Sequence, residues 1–119
     1  MRGLLDTNAI LYVLGGRAAQ PLPAKHYFVS VITEIELLSY PTLDAAAENH
    51  VRQFLSQITV VGLTREVKES TIHIRRQYGL KLPDAIIAAT ALVLDADLLT
   101  NDVRLLKVAG LSCKALKLR

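Results

Sequence analysis

Short apolar runs and longer helical patterns alternate along the chain. Five runs of mainly apolar residues are short enough for strands, and the last alternates as an edge strand does. Between them, apolar residues recur three or four positions apart, which predicts helices. The predicted strands cover 3–5, 27–30, 59–61, 98–100 and 112–118, and the predicted helices lie near 10–14, 33–40, 43–57, 64–78, 85–94 and 103–108. This order predicts an α/β fold of three layers (α/β/α), with a central parallel sheet and helices on both faces.

The longest apolar run, residues 85–94, predicts a helix that is buried on nearly all sides. Pro83 suits the first helical position, and Asp84 would then lie in the first turn, where the helix dipole favours a negative charge. The run is far shorter than the roughly 20 apolar residues of a membrane-spanning helix. We therefore expect no membrane association.

The composition is that of a cytoplasmic protein. The 119 residues suit a single domain over 1–119, and a hydrophobic fraction of 51% supplies its core. Before Asp6 the chain has one basic residue, Arg2, and no signal-like apolar segment, which argues against export. The single Cys113 cannot form an internal disulfide, as expected in a reducing compartment. The glycines and prolines of segment 15–25 predict an exposed, mobile loop.

Acidic side chains lie where predicted strands end and helices begin. Asp6 follows the first strand, and Glu36 comes shortly after the second. Asp84 begins the buried helix, and Asp102 follows the strand 98–100. Because the carboxyl ends of parallel strands share one edge of a sheet, these four carboxylates should meet there. Crowded carboxylates repel one another unless a cation lies between them, and Mg²⁺ or Mn²⁺ prefers such oxygen ligands. A site of this kind can activate water for in-line attack on a phosphodiester.

Two further observations fit such a site. Hydroxyl and amide groups beside the acids could hold ligands or the attacking water; they are Thr7, Asn8, Thr100 and Asn101. The net charge is +3, and with four of the 11 acidic residues at one site, the remaining chain has 14 basic residues against 7 acidic ones. An acidic pocket on basic ground suits a protein that handles a polyanion.

Each acid also has a simpler structural explanation. Asp6 could serve only as a helix cap, and Glu36, three residues after Thr33, matches a capping box. Asp84 could serve only the helix dipole, and Asp102 could cap the last helix or close an Asx turn. These alternatives explain each acid alone. They do not explain why all four should lie at one edge of the sheet.

Four stretches of the chain resemble the motifs of PIN-domain proteins, most closely the VapC-type toxins of prokaryotic toxin–antitoxin modules. The stretches are LLDTN at 4–8, SVITEIEL at 30–37, KLPDAIIAATA at 81–91 and LLTND at 98–102, in the expected order. The DTN motif alone is weak evidence. The stretch around Asp84 is specific, and the four motifs together cover nearly the whole chain.

The resemblance implies a PIN fold and a metal-dependent endoribonuclease that cleaves RNA. It further implies a homodimer and inhibition by a cognate antitoxin whose tail reaches the acidic site. The spacing S-x-x-T-x-x-E-L selects Glu36 over Glu34 as the family position. The residues implied to be catalytic and to bind Mg²⁺ or Mn²⁺ are Asp6, Glu36, Asp84 and Asp102, with Asn8 and Thr100 in support.

Two alternative functions remain open at this point. The first is a PIN nuclease of RNA processing, or of DNA or RNA cleavage, that has no antitoxin. The second is a catalytically silent module that keeps the fold, and the presence of all four acids argues against it.

Other polar residues receive structural interpretations. Asp95 and Asp97 are expected to end the buried helix and to face solvent. The histidines at 26, 50 and 73 are too widely separated for a zinc site. Basic residues near the acids could bind phosphate, although a solvated helix face is the default explanation for any single one of them. These residues are Arg75, Arg76, Lys81, Arg104 and Lys107.

Overall fold

The computed structural model describes residues 2–22 and 26–119. The strands are β1 (Arg2–Leu5), β2 (His26–Ser30), β3 (Thr59–Val61), β4 (Asp97–Leu99) and β5 (Cys113–Lys114). The helices are α1 (Thr7–Leu14), α2 (Val31–Leu38), α3 (Ala45–Leu55), α4 (Arg65–Tyr78) and α5 (Leu82–Leu94), followed by a 3-10 helix at Val103–Lys107. The strands form one sheet in the order β3-β2-β1-β4-β5, and every neighbouring pair is parallel.

Consecutive residues of the central strands point into different cores. Leu4 of β1 packs in a cluster with α4 and α5 on one face of the sheet, whereas Leu5 packs with α1, α2 and α3 on the other. Leu98 and Leu99 of β4 divide in the same way. Because side chains alternate across a strand, two apolar faces require two layers of helices. The predicted three-layer fold with a central parallel sheet is confirmed.

Helix α5 lies in the interior, as the apolar run 85–94 predicted. Every residue from Ala85 to Ala91 is buried, and the alanines among them allow neighbouring elements to approach closely. The helix begins at Leu82, so Pro83 is its second residue rather than its first. The missing N–H costs nothing there, since amides of the first turn have no partner within the helix. In the described ranges, no helix is long and apolar enough to cross a membrane.

Helix α2 begins two residues earlier than predicted, which changes the explanation of Glu36. Ser30 has extended backbone, and its hydroxyl accepts a hydrogen bond from the Ile32 amide at 3.2 Å. Ser30 is therefore the cap, because it directly follows β2 where the chain is still extended. Thr33 lies inside the helix and is buried, so the capping box proposed for Thr33 and Glu36 is wrong.

Helix α4 presents a narrow buried stripe to the core. Val67, Thr71 and Ile74 face the core at spacings of four and three residues, and Ile72 falls outside this stripe and is exposed. The buried Thr71 hydroxyl donates a hydrogen bond to the Val67 carbonyl at 2.7 Å. That bond satisfies the polar atom, so a threonine can occupy a core position.

The last strand is shorter than predicted. Strand β5 pairs with β4 only at Cys113 and Lys114, because β4 itself ends at Leu99. Beyond β4, the side chain of Asn101 makes the hydrogen bonds to the C-terminal segment. Its amide nitrogen donates to the Leu116 carbonyl at 3.2 Å, and its oxygen accepts from the Leu116 amide at 2.7 Å. Asn101 therefore anchors the C-terminal segment, and the ligand-holding role considered from its position in the sequence stays a prediction.

The loop predicted over 15–25 is attached near its start to the C-terminal segment. Ala18 forms an antiparallel bridge with Leu118, and Nε of Arg119 donates to the Gly16 carbonyl at 2.9 Å. This part of the loop is therefore held in place. Residues 23–25, which belong to the same prediction, lie outside the described residues.

Candidate active site

One cleft at the carboxyl edge of the sheet is lined by all four candidate acids. Its volume is about 170 Å³, and its lining residues are Asp6, Thr7, Asn8, Glu36, Tyr40, Asp84, Ile87, Asp102 and Arg104. Because β1 pairs in parallel with both β2 and β4, the segments that follow these strands and carry Asp6, Glu36 and Asp102 lie side by side. Asp84 comes from the first turn of α5, the helix that leads back along the sheet into β4. The structure thus brings the acids together, and their catalytic role stays a prediction.

Asp6 is the most buried of the four acids, with 7% of its surface exposed. Its Oδ1 accepts a hydrogen bond from the Ala9 amide at 2.7 Å, so it caps α1. The Thr100 hydroxyl hydrogen-bonds to the same carboxylate and accepts a hydrogen bond from the Asp102 amide at 3.0 Å. Asp6 is therefore both a helix cap and a member of the cleft, and Thr100 connects it to the segment that carries Asp102.

The surroundings of Asp6 disfavour its negative charge. Burial raises the pKa of Asp6 above its ordinary value of 3.8, and the charges of Asp102 and Asp84 raise it further. The hydrogen bonds from Thr100 and from the Ala9 amide oppose this shift but do not cancel it. The cleft consequently favours either a proton or a cation beside Asp6.

This shift predicts that Asp6→Asn stabilises the metal-free protein at neutral pH. A raised folded-state pKa contributes stability that is fully present below 3.8, the unfolded value, and is lost as the pH rises through the folded value. Asparagine keeps the cap and never ionises, so it does not suffer this loss. The free energy of unfolding, measured with chelator across the acid-to-neutral range, should show a gain for Asp6→Asn that grows as the pH rises.

Asp44→Asn is the matched control for that measurement. Asp44 caps α3 through the same hydrogen bond, to the Ala47 amide at 2.7 Å, but it is exposed. The control shows how much of any gain comes from changing a capping carboxylate to an amide. A gain for Asp6→Asn that stays constant with pH would contradict the argument from burial.

Glu36 faces the beginning of α1. The Thr7 hydroxyl lies 2.7 Å from Oε1 of Glu36 and 3.2 Å from the Thr33 hydroxyl. A hydroxyl has one proton, and the carboxylate is the stronger acceptor, so Thr7 donates to Glu36 and accepts from Thr33. These hydrogen bonds hold the Glu36 carboxylate beside Thr7, the residue next to Asp6.

Asp102 and Asp84 share the guanidinium of Arg104. Asp102 accepts hydrogen bonds from Nε, Nη2 and the backbone amide of Arg104. The hydrogen bond from the backbone amide caps the 3-10 helix. Nη2 of Arg104 also lies 3.6 Å from Oδ2 of Asp84. The hydrogen bond from the Arg104 side chain lowers the pKa of Asp102, against a smaller effect of burial. Capping and membership of the cleft again occur in one side chain.

The donor chemistry of the cleft fits a hard divalent cation, because all four acids offer carboxylate oxygens. The positions of the carboxylates are not yet those of a metal site. Within residues 2–22 and 26–119, no three acidic, histidine or cysteine side chains are already placed as a group of metal ligands. Two of the acids are held by Arg104 instead, so an ion would have to draw the carboxylates together as it binds.

The remaining acids considered from the sequence lie elsewhere. Glu34 lines a different cleft, with Arg52, between α2 and α3. Asp95 ends α5 in the left-handed conformation, with φ of 51°, as predicted for a helix-terminating residue. Asp97 does not end the helix, because it begins β4. It accepts a hydrogen bond from Ser112 at 2.7 Å, which lowers the pKa of Asp97, and it pairs with Lys114 at 3.3 Å.

Two cleft residues, Tyr40 and Ile87, were not considered from the sequence, and Arg104 was considered for phosphate binding but not for contact with the acids. Tyr40 and Ile87 line the cleft without a motif that would reveal them. The signal for Arg104 was available, because an arginine two residues after an aspartate at a helix start can fold back onto it. Asn8, one of the two predicted supporting residues, lines the cleft and is exposed.

The chain is similar to several solved structures. A chain of a toxin–antitoxin complex from Klebsiella pneumoniae is 28% identical, with a TM-score of 0.77 over 91% of this chain and 92% of the matched one. A chain of VapBC2 from Rickettsia felis, bound to a DNA fragment from its promoter, is 18% identical with a TM-score of 0.81, over 98% and 100% of the two chains. DNA-bound VapBC from Salmonella typhimurium gives 21% identity and a TM-score of 0.79, over 97% and 98%.

Comparison with curated protein sequences gives no significant match. The family model described as the PIN domain, in contrast, matches residues 3–111. The match runs from β1 through the 3-10 helix and includes every acid of the cleft. The chain therefore belongs to the PIN domain family.

Proposed function

We propose that this chain, acting as a single PIN domain over 1–119, is a metal-dependent endoribonuclease and the toxin of a toxin–antitoxin pair. The observation that carries the proposal is the meeting of four carboxylates from four separate segments in one cleft. In this proposal the four acids hold Mg²⁺ or Mn²⁺, and water attacks the RNA phosphodiester. PIN-domain membership supports a nuclease, and the oxygen-only donor set supports a hard cation.

The bound ion would supply an activated water and charge stabilisation for in-line displacement at phosphorus. The chain's own residues orient the acids for this task. Thr100 holds the Asp6 carboxylate, and Thr7 holds that of Glu36. Such hydrogen bonds behind the ligands restrict their rotamers and make the site more precise. Asn8 is exposed at the cleft, where it could bind a phosphate or a sugar hydroxyl of the RNA.

The toxin assignment goes further than the nuclease assignment. It is supported by the Klebsiella pneumoniae complex, which is a toxin–antitoxin complex with a chain 28% identical to this one. On this proposal a cognate antitoxin covers the acidic cleft, and the toxin forms a homodimer in the cytoplasm. Ile35 on α2 and Val103 beside Asp102 are exposed, and they offer apolar surface to such partners.

Metal removal tests the enzymatic part of the proposal. Purified protein should cleave a mixed RNA pool with Mg²⁺ or Mn²⁺, lose that activity in chelator, and regain it when excess metal is restored. Single-stranded DNA of matched length, in a parallel reaction, tests whether the substrate is RNA. Cleavage that survives chelation would exclude the metal-dependent mechanism, and equal cleavage of DNA would exclude an RNA-specific enzyme.

A further inference from the structure

The positively charged side chain of Arg104 lies against two acids of the cleft, Asp84 and Asp102. Its Nε lies 3.0 and 3.1 Å from the two oxygens of Asp102, and its Nη2 lies 2.5 Å from Oδ2 of the same residue. Nη2 also lies 3.6 Å from Oδ2 of Asp84. The guanidinium therefore compensates the charge of both acids, through contacts separate from the backbone hydrogen bond that caps the 3-10 helix.

A guanidinium in this position competes with a metal ion for the same oxygens. A divalent cation binds through carboxylate lone pairs, and the fork of Arg104 already uses a lone pair on each oxygen of Asp102. In addition, two cations within contact distance repel each other, most strongly where water is partly excluded. Full engagement of Asp102 by Arg104 and by a divalent ion at once is therefore unfavourable.

Arg104 is also able to move away. Its side chain is 61% exposed, compared with 27% for Asp84 and 22% for Asp102. Ion pairs with such an exposed partner contribute little to stability, so breaking this one costs little. The neighbours Val103 and Leu106 on the same 3-10 helix are exposed, which leaves room for the side chain outside the cleft.

We propose that Arg104 competes with the divalent cation for Asp84 and Asp102, and so sets the metal concentration at which the site fills. Without metal, Arg104 neutralises the two acids and limits their mutual repulsion. When metal binds, the guanidinium leaves Asp102 and moves towards solvent. This inference rests on the proposed metal-dependent function and adds to it an internal competitor.

The test measures the binding of Mn²⁺ alone, by isothermal titration calorimetry, with no RNA present. We expect Arg104→Gln to bind Mn²⁺ about fivefold or more tightly than wild type, at the lower end of usual coupling between two ligands. Lys107→Gln is the matched control, because it removes one positive charge from an exposed position on the same 3-10 helix. It should bind Mn²⁺ as wild type does. Arg104→Lys should fall between, because lysine keeps the charge but loses the two-pronged contact.

The outcomes separate this inference from the proposed function. Suppose that Arg104→Gln binds Mn²⁺ no more tightly than wild type, while Asp84→Asn abolishes binding. That result would overturn the competition and leave the proposed metal site intact. If neither wild type nor Arg104→Gln binds Mn²⁺, the metal site is wrong and the competition is wrong with it. A gain shared equally by Lys107→Gln would also overturn the competition, since net charge alone would then explain it. Melting curves without metal establish that each variant is folded.

Discussion

Asp84→Asn should lower metal-dependent RNA cleavage by more than about 100-fold, because loss of a partner behind the ligands already costs about 10- to 100-fold. Asp84 lies in the first turn of the most buried helix, so its position relative to the other acids is set by a rigid element. Asparagine has nearly the same shape but lacks the negative charge that a hard cation prefers. The lost contact to Arg104 is partly exposed and contributes little. Initial rates of cleavage at saturating Mn²⁺ provide the measurement.

Asp95→Asn makes the same chemical change at the other end of the same helix. Asp95 is exposed and ends α5 with φ of 51°, a conformation that asparagine adopts readily. This variant should cleave RNA at the wild-type rate. Wild-type activity in Asp84→Asn would remove Asp84 from the proposed metal site, whereas equal losses in both variants would point to a general effect of charge on α5.

Leu98→Ala should cost about 2–5 kcal/mol of the free energy of unfolding, a large share of the total for a small domain. Leu98 is 0% exposed and lies in β4, opposite Leu4 of the central strand and Cys113 of the edge strand. Its side chain fills the core between the sheet and α5. Removing its methyl groups leaves a cavity that the paired strands cannot close. Chemical denaturation gives the free energy directly, and the melting temperature should fall by roughly 10–20 °C.

Leu106→Ala is the control with the same change in side chain. Leu106 is 62% exposed on the 3-10 helix, and its truncation should alter the free energy of unfolding by no more than about 0.5 kcal/mol. A small cost for Leu98→Ala, comparable with that of the control, would mean that the core around β4 collapses freely. That result would contradict the packing described for this face of the sheet.

The sequence predicted the fold well because most of its signals are local. The run 85–94 has no polar face, and only a buried helix satisfies such a segment. Thr64 and Gly79 mark the two ends of α4 by capping chemistry that a neighbouring residue cannot easily override. The start of α2 was predicted at Thr33, although Ser30 also has a side chain that can cap a helix. The end of β2 decided in favour of Ser30, since the chain is still extended there.

Other features depend on partners that are distant in the sequence. The pattern of 112–118 suits a full edge strand, but a strand can extend only as far as its neighbour, and β4 ends at Leu99. Asn101 had the chemistry of a ligand holder, yet both its polar atoms bond to Leu116. Asp97 was predicted to end a helix, but it begins β4, where Ser112 and Lys114 contact its carboxylate. Periodicity carries no information about such pairings.

The acidic cleft shows the same division. The sequence alone determined that Asp6, Glu36 and Asp102 come after strands and that Asp84 begins a helix, since that placement depends only on where short apolar runs stop and helices begin. Only the tertiary structure decided the strand order, β3-β2-β1-β4-β5. With this order, Asp6, Glu36, Asp84 and Asp102 line one cleft. The tertiary structure also decided that Arg104 lies against two of them. Strand order and the path of a long side chain depend on packing between distant segments, which no local pattern specifies.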